Sequence, residues 1–381
     1  MMAGDALLDA FIDANILVCV AYALWCVTRL LPGRLGLKSA YGTQLRLLNS
    51  VFLAVVFAPF IALAYSTLYR AGMVGQTNLN LSDMVIAHYL NGGFSMKASE
   101  FEGLILMREH FTQNVLSGVG WIALAAISLF VIGVVTGLMR LICSMLCLYR
   151  IVVGSYAWRS FGRLRIRLSD RTLIPFSTRG WRNYYVVLPS HMLGQPDELK
   201  VSLAHEFQHI RQGDLEWEIL LEALKPLFLL NPAYHAWKRQ VESLRELNCD
   251  SHVLMRGRIE VRTYCDTLLS VCQQALRRDR AFVIAVPKVT LVTADRATIG
   301  FGKQSFLERR IVSLINSRRQ ARPRLVYMAI VFPMIFAIFA TAVSIQRPGD
   351  WSHDRIMLST VVNLERMDEI NRLSSFGRIR N

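Results

Sequence analysis

Four long apolar runs dominate the pattern of hydrophobic and polar positions along the chain. They cover residues 15–31, 47–69, 115–139 and 325–346. Each has about the length of the roughly 20-residue helix that crosses a bilayer core, and arginines stand at or near their borders. Acidic residues precede the first run, where a cleaved signal peptide would carry basic ones. The pattern therefore predicts four retained transmembrane helices.

The pattern between the third and fourth runs is different. Residues 163–168 alternate strictly between polar and apolar, the period of a half-buried strand, and residues 184–188 are a second strand candidate. The third apolar helix is expected to continue inward to about residue 158. Residues 280–305 are predicted to be a loop or short strands. Helical periodicity predicts helices over 197–212, 237–255, 261–277 and 306–317.

These elements predict a mostly α-helical integral membrane protein, with an α+β domain inserted between the third and fourth transmembrane helices. Residues 1–149 would form a membrane region with three transmembrane helices. An outside loop, 71–114, would join the second and third of them. Residues 150–324 would form the inserted domain. Residues 325–346 would be the last membrane helix, and 347–381 a short tail.

The charge distribution orients the predicted helices. The chain carries 43 Lys and Arg against 28 Asp and Glu, a net charge of +15, which favours nucleic acid or an anionic membrane surface as partner. Residues 150–324 hold 29 of the basic and 16 of the acidic residues. Basic residues mark the cytoplasmic side, so both termini are predicted to lie outside and the inserted domain inside. Because no nucleic-acid-binding motif occurs, we predict contact with the lipid bilayer and no direct contact with nucleic acid.

Residues 205–209 read His-Glu-Phe-Gln-His and lie within a predicted helix. Positions i and i+4 share a helix face, so the imidazoles of His205 and His209 can reach one metal ion. This is the HExxH pattern of zinc peptidases. Glu206 would be the general base that takes a proton from the attacking water and passes it to the leaving amine. The motif predicts one zinc ion per chain.

A catalytic zinc ion needs three protein ligands and one open position. Glu246 and Asp250 are four residues apart on a later predicted helix and therefore share a face. We predict that Glu246 completes the ligand set and that Asp250 accepts the second N–H of a ligand histidine. Cys249 could be a soft ligand, but we predict that it is packed in the core.

Other candidate residues carry weaker signals. Histidines could polarise a carbonyl and tyrosines could stabilise an oxyanion, although both are more often core or surface residues. These candidates are His191, His235, His252, Tyr234 and Tyr264. Asp214 follows the HExxH helix and is predicted only to mark its end. Seven cysteines without a CxxC pair predict free thiols in a reducing compartment.

Together these residues resemble those of the BlaR/MecR-type membrane metallopeptidases. The resemblance covers about residues 10–345. Members of that family have three membrane helices before a cytoplasmic zinc domain and one after it. The motifs that carry the resemblance are HExxH at 205–209, Asp-Leu at 214–215, Leu-Asn-Pro at 230–232 and Arg-Glu-Leu-Asn-Cys-Asp at 245–250.

The resemblance implies a gluzincin-like zinc endopeptidase in the bacterial cytoplasmic membrane. Family sensors bind a β-lactam outside and relieve a transcriptional repressor by zinc-dependent cleavage inside. The expected substrate is such a regulator, or the chain itself, cut within 280–306, for example between Ser305 and Phe306. The best-known members carry a penicillin-binding domain after the last helix, but no Ser-x-x-Lys motif occurs in residues 347–381. A separate sensor partner or another signal is therefore expected, and a homodimer is compatible with the sequence.

Two other functions are alternatives to signalling proteolysis. Quality-control peptidases similar to HtpX and the CAAX proteases also combine HExxH with a later Glu and an Asp four residues on. The Cys-Asp pair and the three preceding membrane helices argue against them. A non-catalytic receptor or scaffold would hold zinc as a structural ion, but an intact His, His, Glu set with Glu206 argues against this.

Overall fold

A computed structural model of the chain describes residues 3–30, 40–71, 81–117, 120–277, 289–290, 306–315, 324–345 and 353–378. The helices are α1 (Ala3–Leu30), α2 (Tyr41–Arg70), α3 (Leu81–Leu90), α4 (Ala98–Ser117), α5 (Trp121–Val153), α6 (Pro196–Gln212), α7 (Asp214–Leu224), α8 (Pro232–Met255), α9 (Val261–Arg277), α10 (Phe306–Ile315), α11 (Arg324–Ile345) and α12 (His353–Arg378). The strands are β1 (Tyr156–Phe161), β2 (Leu164–Ser169), β3 (Phe176–Arg179), β4 (Tyr184–Pro189) and β5 (Val289–Thr290).

Four of the described helices are long and apolar enough to cross a membrane. They supply the segments Leu8–Arg29, Tyr41–Tyr65, Ile127–Val153 and Val326–Ile345. The predicted set of four apolar helices is therefore confirmed, as is a sheet-containing domain in a mostly helical chain.

The third of these helices lies later in the chain than the apolar run suggested. α5 begins at Trp121, and residues 115–117 belong to α4. The part of α5 that is long and apolar enough to cross a membrane, Ile127–Val153, includes Arg140. The apolar run in the sequence stops before this arginine, yet a long arginine side chain can extend toward the headgroups from within an apolar helix.

The chain divides into two compact units. One combines Met1–Trp25, Asn49–Phe130 and Met328–Asn381, and the other combines Cys26–Leu48 and Val131–Tyr327. The second unit contains a five-stranded sheet in the order β1-β2-β4-β3-β5. β2 and β4 run parallel to each other, and the other neighbouring strands are antiparallel. β2 and β4 lie where strands were predicted.

The expected continuation of the third helix to residue 158 is wrong. α5 ends at Val153, and the residues from Tyr156 onward form β1. The Ser155 hydroxyl donates to the carbonyl of Val152 at 2.6 Å, and the Arg167 guanidinium donates to the Ser155 carbonyl at 2.6 and 3.2 Å. These hydrogen bonds hold the turn that leads from α5 into β1.

The sheet is covered on both faces. Ile166 and Leu188 on one face are buried against the apolar side of α6. Phe176 and Val187 on the other face pack with Val152 at the end of α5. Burial on both faces explains the largely apolar sequence of β4, and it fixes α6, which carries the HExxH motif, against the sheet.

Three further helices pack on α6. α8, α9 and α10 share a buried cluster with it, formed by Val201, Cys249, Val253, Tyr264 and Leu314. α8 begins at Pro232, earlier than the predicted residue 237. The side-chain oxygen of Asn231 accepts hydrogen bonds from the backbone N–H groups of Ala233 and Tyr234, which caps the additional turn.

The first unit contains a small helical assembly that the sequence did not predict. The tail holds the 26-residue helix α12, which packs against α3 and α4. Their shared core consists of Ile86, Ala98, Phe101, Leu358 and Val362. The loop between the second and third apolar helices and the chain after the fourth therefore fold together.

Candidate metal centre

Helix α6 positions the two histidines of the HExxH motif. Pro196 occupies its first turn, and Gly213 ends it in the left-handed conformation with φ of 74°. His205 and His209 lie one turn apart on the same face, and both are fully buried. Their Nε2 atoms are 3.0 Å apart. Two imidazole nitrogens therefore converge on one point.

The opposite edge of each imidazole ring is held by a hydrogen-bond partner. The Nδ1 atom of His205 is 2.8 Å from the Tyr264 hydroxyl and 3.4 Å from a carboxylate oxygen of Asp250. The Nδ1 atom of His209 is 2.7 Å from a carboxylate oxygen of Asp214. These partners favour a proton on Nδ1, which leaves the Nε2 lone pairs available to a metal ion.

Glu246 on α8 faces the two Nε2 atoms. Its carboxylate oxygens are 3.5 Å from Nε2 of His205 and 3.7 Å from Nε2 of His209. The carboxylate is almost completely buried. A carboxylate facing two imidazole nitrogens is a donor set that suits a zinc ion.

Cys249, one helical turn further along α8, is a competing donor. Its Sγ atom is 3.6 Å from Nδ1 of His205, and the ligand atoms of His205, His209 and Cys249 lie within 4.8 Å of one another. The thiol approaches the Nδ1 edge of His205, whereas Glu246 faces the Nε2 edges of both rings. Because Tyr264 already binds the Nδ1 edge of His205, we favour Glu246 over Cys249 as third donor.

Glu206 lies beside the histidines with its carboxylate completely buried. Among the described residues neither of its oxygens has a conventional hydrogen bond. Burial raises its pKa above the ordinary value, while both histidines and the Ser177 hydroxyl on β3 act to lower it. The Glu206 carboxylate therefore lies beside the histidines without a conventional hydrogen bond to another described residue.

Electrostatics show that the pocket stabilises positive charge. Burial alone would lower the pKa of both histidines, but surrounding groups raise it, to about 10 for His209. The largest increase in the pKa of each histidine comes from Cys249. Asp250 raises the pKa of His205 further, and Asp214 raises that of His209. The groups around the two imidazoles therefore favour positive charge at this point.

One guanidinium compensates the two carboxylates on α8. Burial would raise the pKa of Glu246 and of Asp250, but the charge of Arg310 and smaller effects of the histidines outweigh it, so both pKa values are lowered. Arg310 is itself almost completely buried. Sequence reasoning missed Arg310, because one arginine in a basic segment carries no motif.

Most of the weaker sequence candidates lie away from this centre. His235 and His252 contact the backbone carbonyls of Leu229 and Asn248, and the Tyr234 hydroxyl donates to the carbonyl of Leu221. Tyr264 and Asp214 do belong to the centre, each against an imidazole. Their proximity depends on how α7 and α9 pack against α6, which spacing along the chain does not reveal.

The fold and the site together define a protein with four helices that could cross a membrane and a buried candidate metal centre between α6 and α8. The profile of the BlaR1 peptidase M56 family matches residues 6–291. The match covers well over half of the chain, so the protein belongs to this family of membrane-bound metallopeptidases, and the resemblance predicted from the motifs is confirmed. No curated protein matches the chain.

Proposed function

We propose that the protein is a membrane-embedded, gluzincin-like zinc endopeptidase that hydrolyses a peptide bond in a cytoplasmic protein during transmembrane signalling. One observation carries the proposal. The Nε2 atoms of His205 and His209 converge within 3.0 Å and face the carboxylate of Glu246, with Glu206 buried beside them. Two imidazoles and a carboxylate are a ligand set of catalytic zinc, in which a fourth position stays open for water and substrate.

The residues divide the chemistry among them. His205, His209 and Glu246 would hold the ion, which when bound would supply Lewis-acid polarisation of the scissile carbonyl and acidify the attacking water. Glu206 takes a proton from that water and delivers it to the amine of the leaving peptide. Asp250 and Asp214 keep the imidazole rings oriented through their Nδ1 edges.

An extended substrate would bind at the edge of β3 that β5 pairs with at Phe176 and Ser177, either by replacing β5 or as this segment of the chain itself. Ser177 on this strand neighbours Glu206, so a peptide laid along the edge passes the general base. β5 pairs antiparallel with Phe176 and Ser177 at this edge, which supports strand addition as the binding mode. β5 belongs to the 280–306 segment in which self-cleavage is predicted, although Ser305 lies outside the described residues.

The proposed orientation follows the charges. The excess of basic residues in 150–324 supports a cytoplasmic sheet-containing unit and outside termini. The substrate would then be a cytoplasmic regulator or the chain itself, and the signal would come from a separate sensor partner or from outside. A homodimer in the bacterial cytoplasmic membrane is compatible with this arrangement.

A non-catalytic zinc site is the second candidate function. It is favoured by the group of His205, His209 and Cys249, whose ligand atoms lie within 4.8 Å of one another. Histidine and cysteine ligands without an open position are typical of structural zinc. The two candidates differ in which residue of α8 binds the ion.

The variant Glu206→Gln tests the enzymatic proposal, with Asp197→Asn, an exposed acid on the same helix, as matched control. We expect Glu206→Gln to retain metal and to lose at least about 100-fold in peptide hydrolysis, because general-base catalysis contributes at least that much. New protein N-termini, measured by proteomics in cells expressing each form, should disappear in Glu206→Gln and persist in Asp197→Asn. Unchanged cleavage in Glu206→Gln would refute the proposal.

A further inference from the structure

Arg310 on α10 reaches into the candidate metal centre from a segment outside every motif. Its side chain is only 2% exposed. Its Nε atom donates to Oδ2 of Asp250 at 2.7 Å, and one Nη atom donates to Oδ1 at 2.7 Å. This is a two-pronged pairing between guanidinium and carboxylate, which fixes both groups in one plane.

The same guanidinium also contacts the proposed third ligand. Its second Nη atom is 3.3 Å from Oε2 of Glu246. That carboxylate oxygen is the one that lies 3.5 Å from Nε2 of His205. Arg310 therefore touches a proposed metal ligand directly, on the oxygen nearest to the imidazole.

A second series of contacts links Arg310 to His205. The Tyr264 hydroxyl donates to Oδ1 of Asp250 at 2.6 Å and lies 2.8 Å from Nδ1 of His205. Asp250 is thus shared between Arg310 and Tyr264. The position of the guanidinium sets the position of the carboxylate, which in turn sets the hydroxyl that orients the His205 ring.

We propose that Arg310 is a positioning residue of the metal centre: it holds Glu246 directly, and His205 through Asp250 and Tyr264, in the arrangement that binds the ion. This inference rests on the proposed function in taking Glu246 and His205 as ligands. It adds α10, the last described helix before α11 in the chain, to the elements that build the site. α6 and α8 supply the ligands, and α9 and α10 hold them.

The planar fork of arginine matters in this role as well as its charge. A lysine would keep a positive charge near Asp250 and Glu246, but it is a point charge on a flexible stem and cannot pair with both carboxylates in fixed geometry. A neutral residue would leave two buried carboxylates without compensation, which is strongly destabilising in protein interiors. The two substitutions therefore separate positioning from charge balance.

The test uses the full-length protein in detergent, with Arg310→Lys and Arg310→Met, and with Arg309→Met as control because Arg309 is exposed on the same helix. Co²⁺ replaces zinc as the probe, since its visible absorption reports ligand geometry. We expect Arg310→Lys to fold with a thermal transition close to that of the parent and to bind Co²⁺ about 10–100-fold more weakly, with an altered spectrum, as happens when groups supporting metal ligands are lost. Arg310→Met should bind more weakly still, and Arg309→Met should match the parent.

The outcomes separate this inference from the proposed function. Parental Co²⁺ affinity and spectrum in Arg310→Lys would overturn the positioning role, even if the parent cleaves peptides. Failure of Arg310→Lys to fold would also overturn it, since the arginine would then serve stability alone. Weakened metal binding in Arg310→Lys alongside a parent that hydrolyses no peptide would refute the proposed peptidase and leave the positioning role standing.

Discussion

At the scale of single residues, the two edges of each imidazole ring have separate tasks. The Nε2 edges of His205 and His209 face each other and Glu246, while their Nδ1 edges face Tyr264 and Asp214. A metal ion needs nitrogens that are free of protons, and the Nδ1 partners keep the protons on the other side of each ring. Residues from α7 and α9 therefore orient the rings of the two proposed ligand histidines.

The choice between Glu246 and Cys249 is a prediction at this scale. We expect Glu246→Gln to lose most of the bound zinc, because it removes an anionic ligand facing both Nε2 atoms, and to abolish hydrolysis. Cys249→Ser should keep one zinc ion per chain and most activity. Metal analysis of the purified full-length variants, together with peptide hydrolysis, measures both effects.

The opposite result would identify a different kind of site. Loss of zinc in Cys249→Ser with retention in Glu246→Gln would support the His, His, Cys group and the non-catalytic function. Ser251→Ala serves as the control, because Ser251 is buried on the same helix and its hydroxyl donates to the Asn248 carbonyl within the helix. It should change neither zinc content nor hydrolysis.

At the scale of elements, the junction between α6 and α7 positions Asp214. Gly213 joins the two helices with φ of 74°, a conformation that other residues adopt at a cost. The sharp turn brings Asp214, the first residue of α7, back to the Nδ1 atom of His209 at 2.7 Å. The sequence Gly-Asp after the HExxH helix is therefore part of the site and more than a helix end.

We expect Gly213→Ala to lower the free energy of unfolding by about 1–2 kcal/mol and to weaken metal binding. Space is not the obstacle, since a Cβ atom would come no closer than 3.7 Å to its neighbours, so the effect is backbone strain that displaces Asp214. Denaturant unfolding and Co²⁺ titration measure the two effects. Gly257→Ala is a matched control with φ of 66° and open surroundings: it should show a similar loss of stability with parental Co²⁺ affinity. Equal metal affinity in both variants would contradict the role of the junction.

Buried ion pairs link α7 to α8. The carboxylate of Glu218 contacts the side chains of Lys238 at 3.0 Å and Arg245 at 2.6 Å. Burial acts to raise the pKa of Glu218, but Arg245 and Lys238 outweigh it and lower the pKa well below its ordinary range. The network holds α8 in register with α7, and so holds Glu246 near the end of α6 that carries His209.

At the scale of the whole molecule, the chain folds as two compact units. In one unit, α12 packs against α3 and α4, with an ion pair between Arg366 and Glu102 at 3.3 Å. Glu365 also accepts a hydrogen bond from the backbone N–H of Ser99 at 2.9 Å. The segments that flank the third and fourth apolar helices therefore pack together, which agrees with two membrane crossings between them.

The proposed orientation predicts opposite accessibility for the two units. In a chain whose native cysteines are replaced by serine, Trp181→Cys in the sheet-containing unit should react with a membrane-impermeant maleimide only after the cells are opened. Leu104→Cys on α4 should react in intact spheroplasts. Both positions are exposed, at 97% and 57% respectively, so the membrane alone accounts for the difference. The reverse labelling pattern would place the candidate metal centre outside and exclude a cytoplasmic substrate.

The sequence by itself determined the features that depend on local pattern. The four apolar helices, the α6 helix with its histidines one turn apart, and the pairing of Glu246 with Asp250 on a single face of α8 all follow from residue periodicity. The family could also be recognised from local motifs, because the spacing of motifs along the chain can be read without knowledge of the fold.

Only the tertiary structure decided which distant residues complete the site. Tyr264 and Arg310 contact Asp250 across separations of 14 and 60 residues. The Arg167 guanidinium donates to the Ser155 carbonyl in the turn after α5. The α12 helix and its place beside α3 and α4 were missed for the same reason. These contacts arise because helices bury apolar faces against one another, and that burial brings together polar groups whose order in the chain carries no periodic signal.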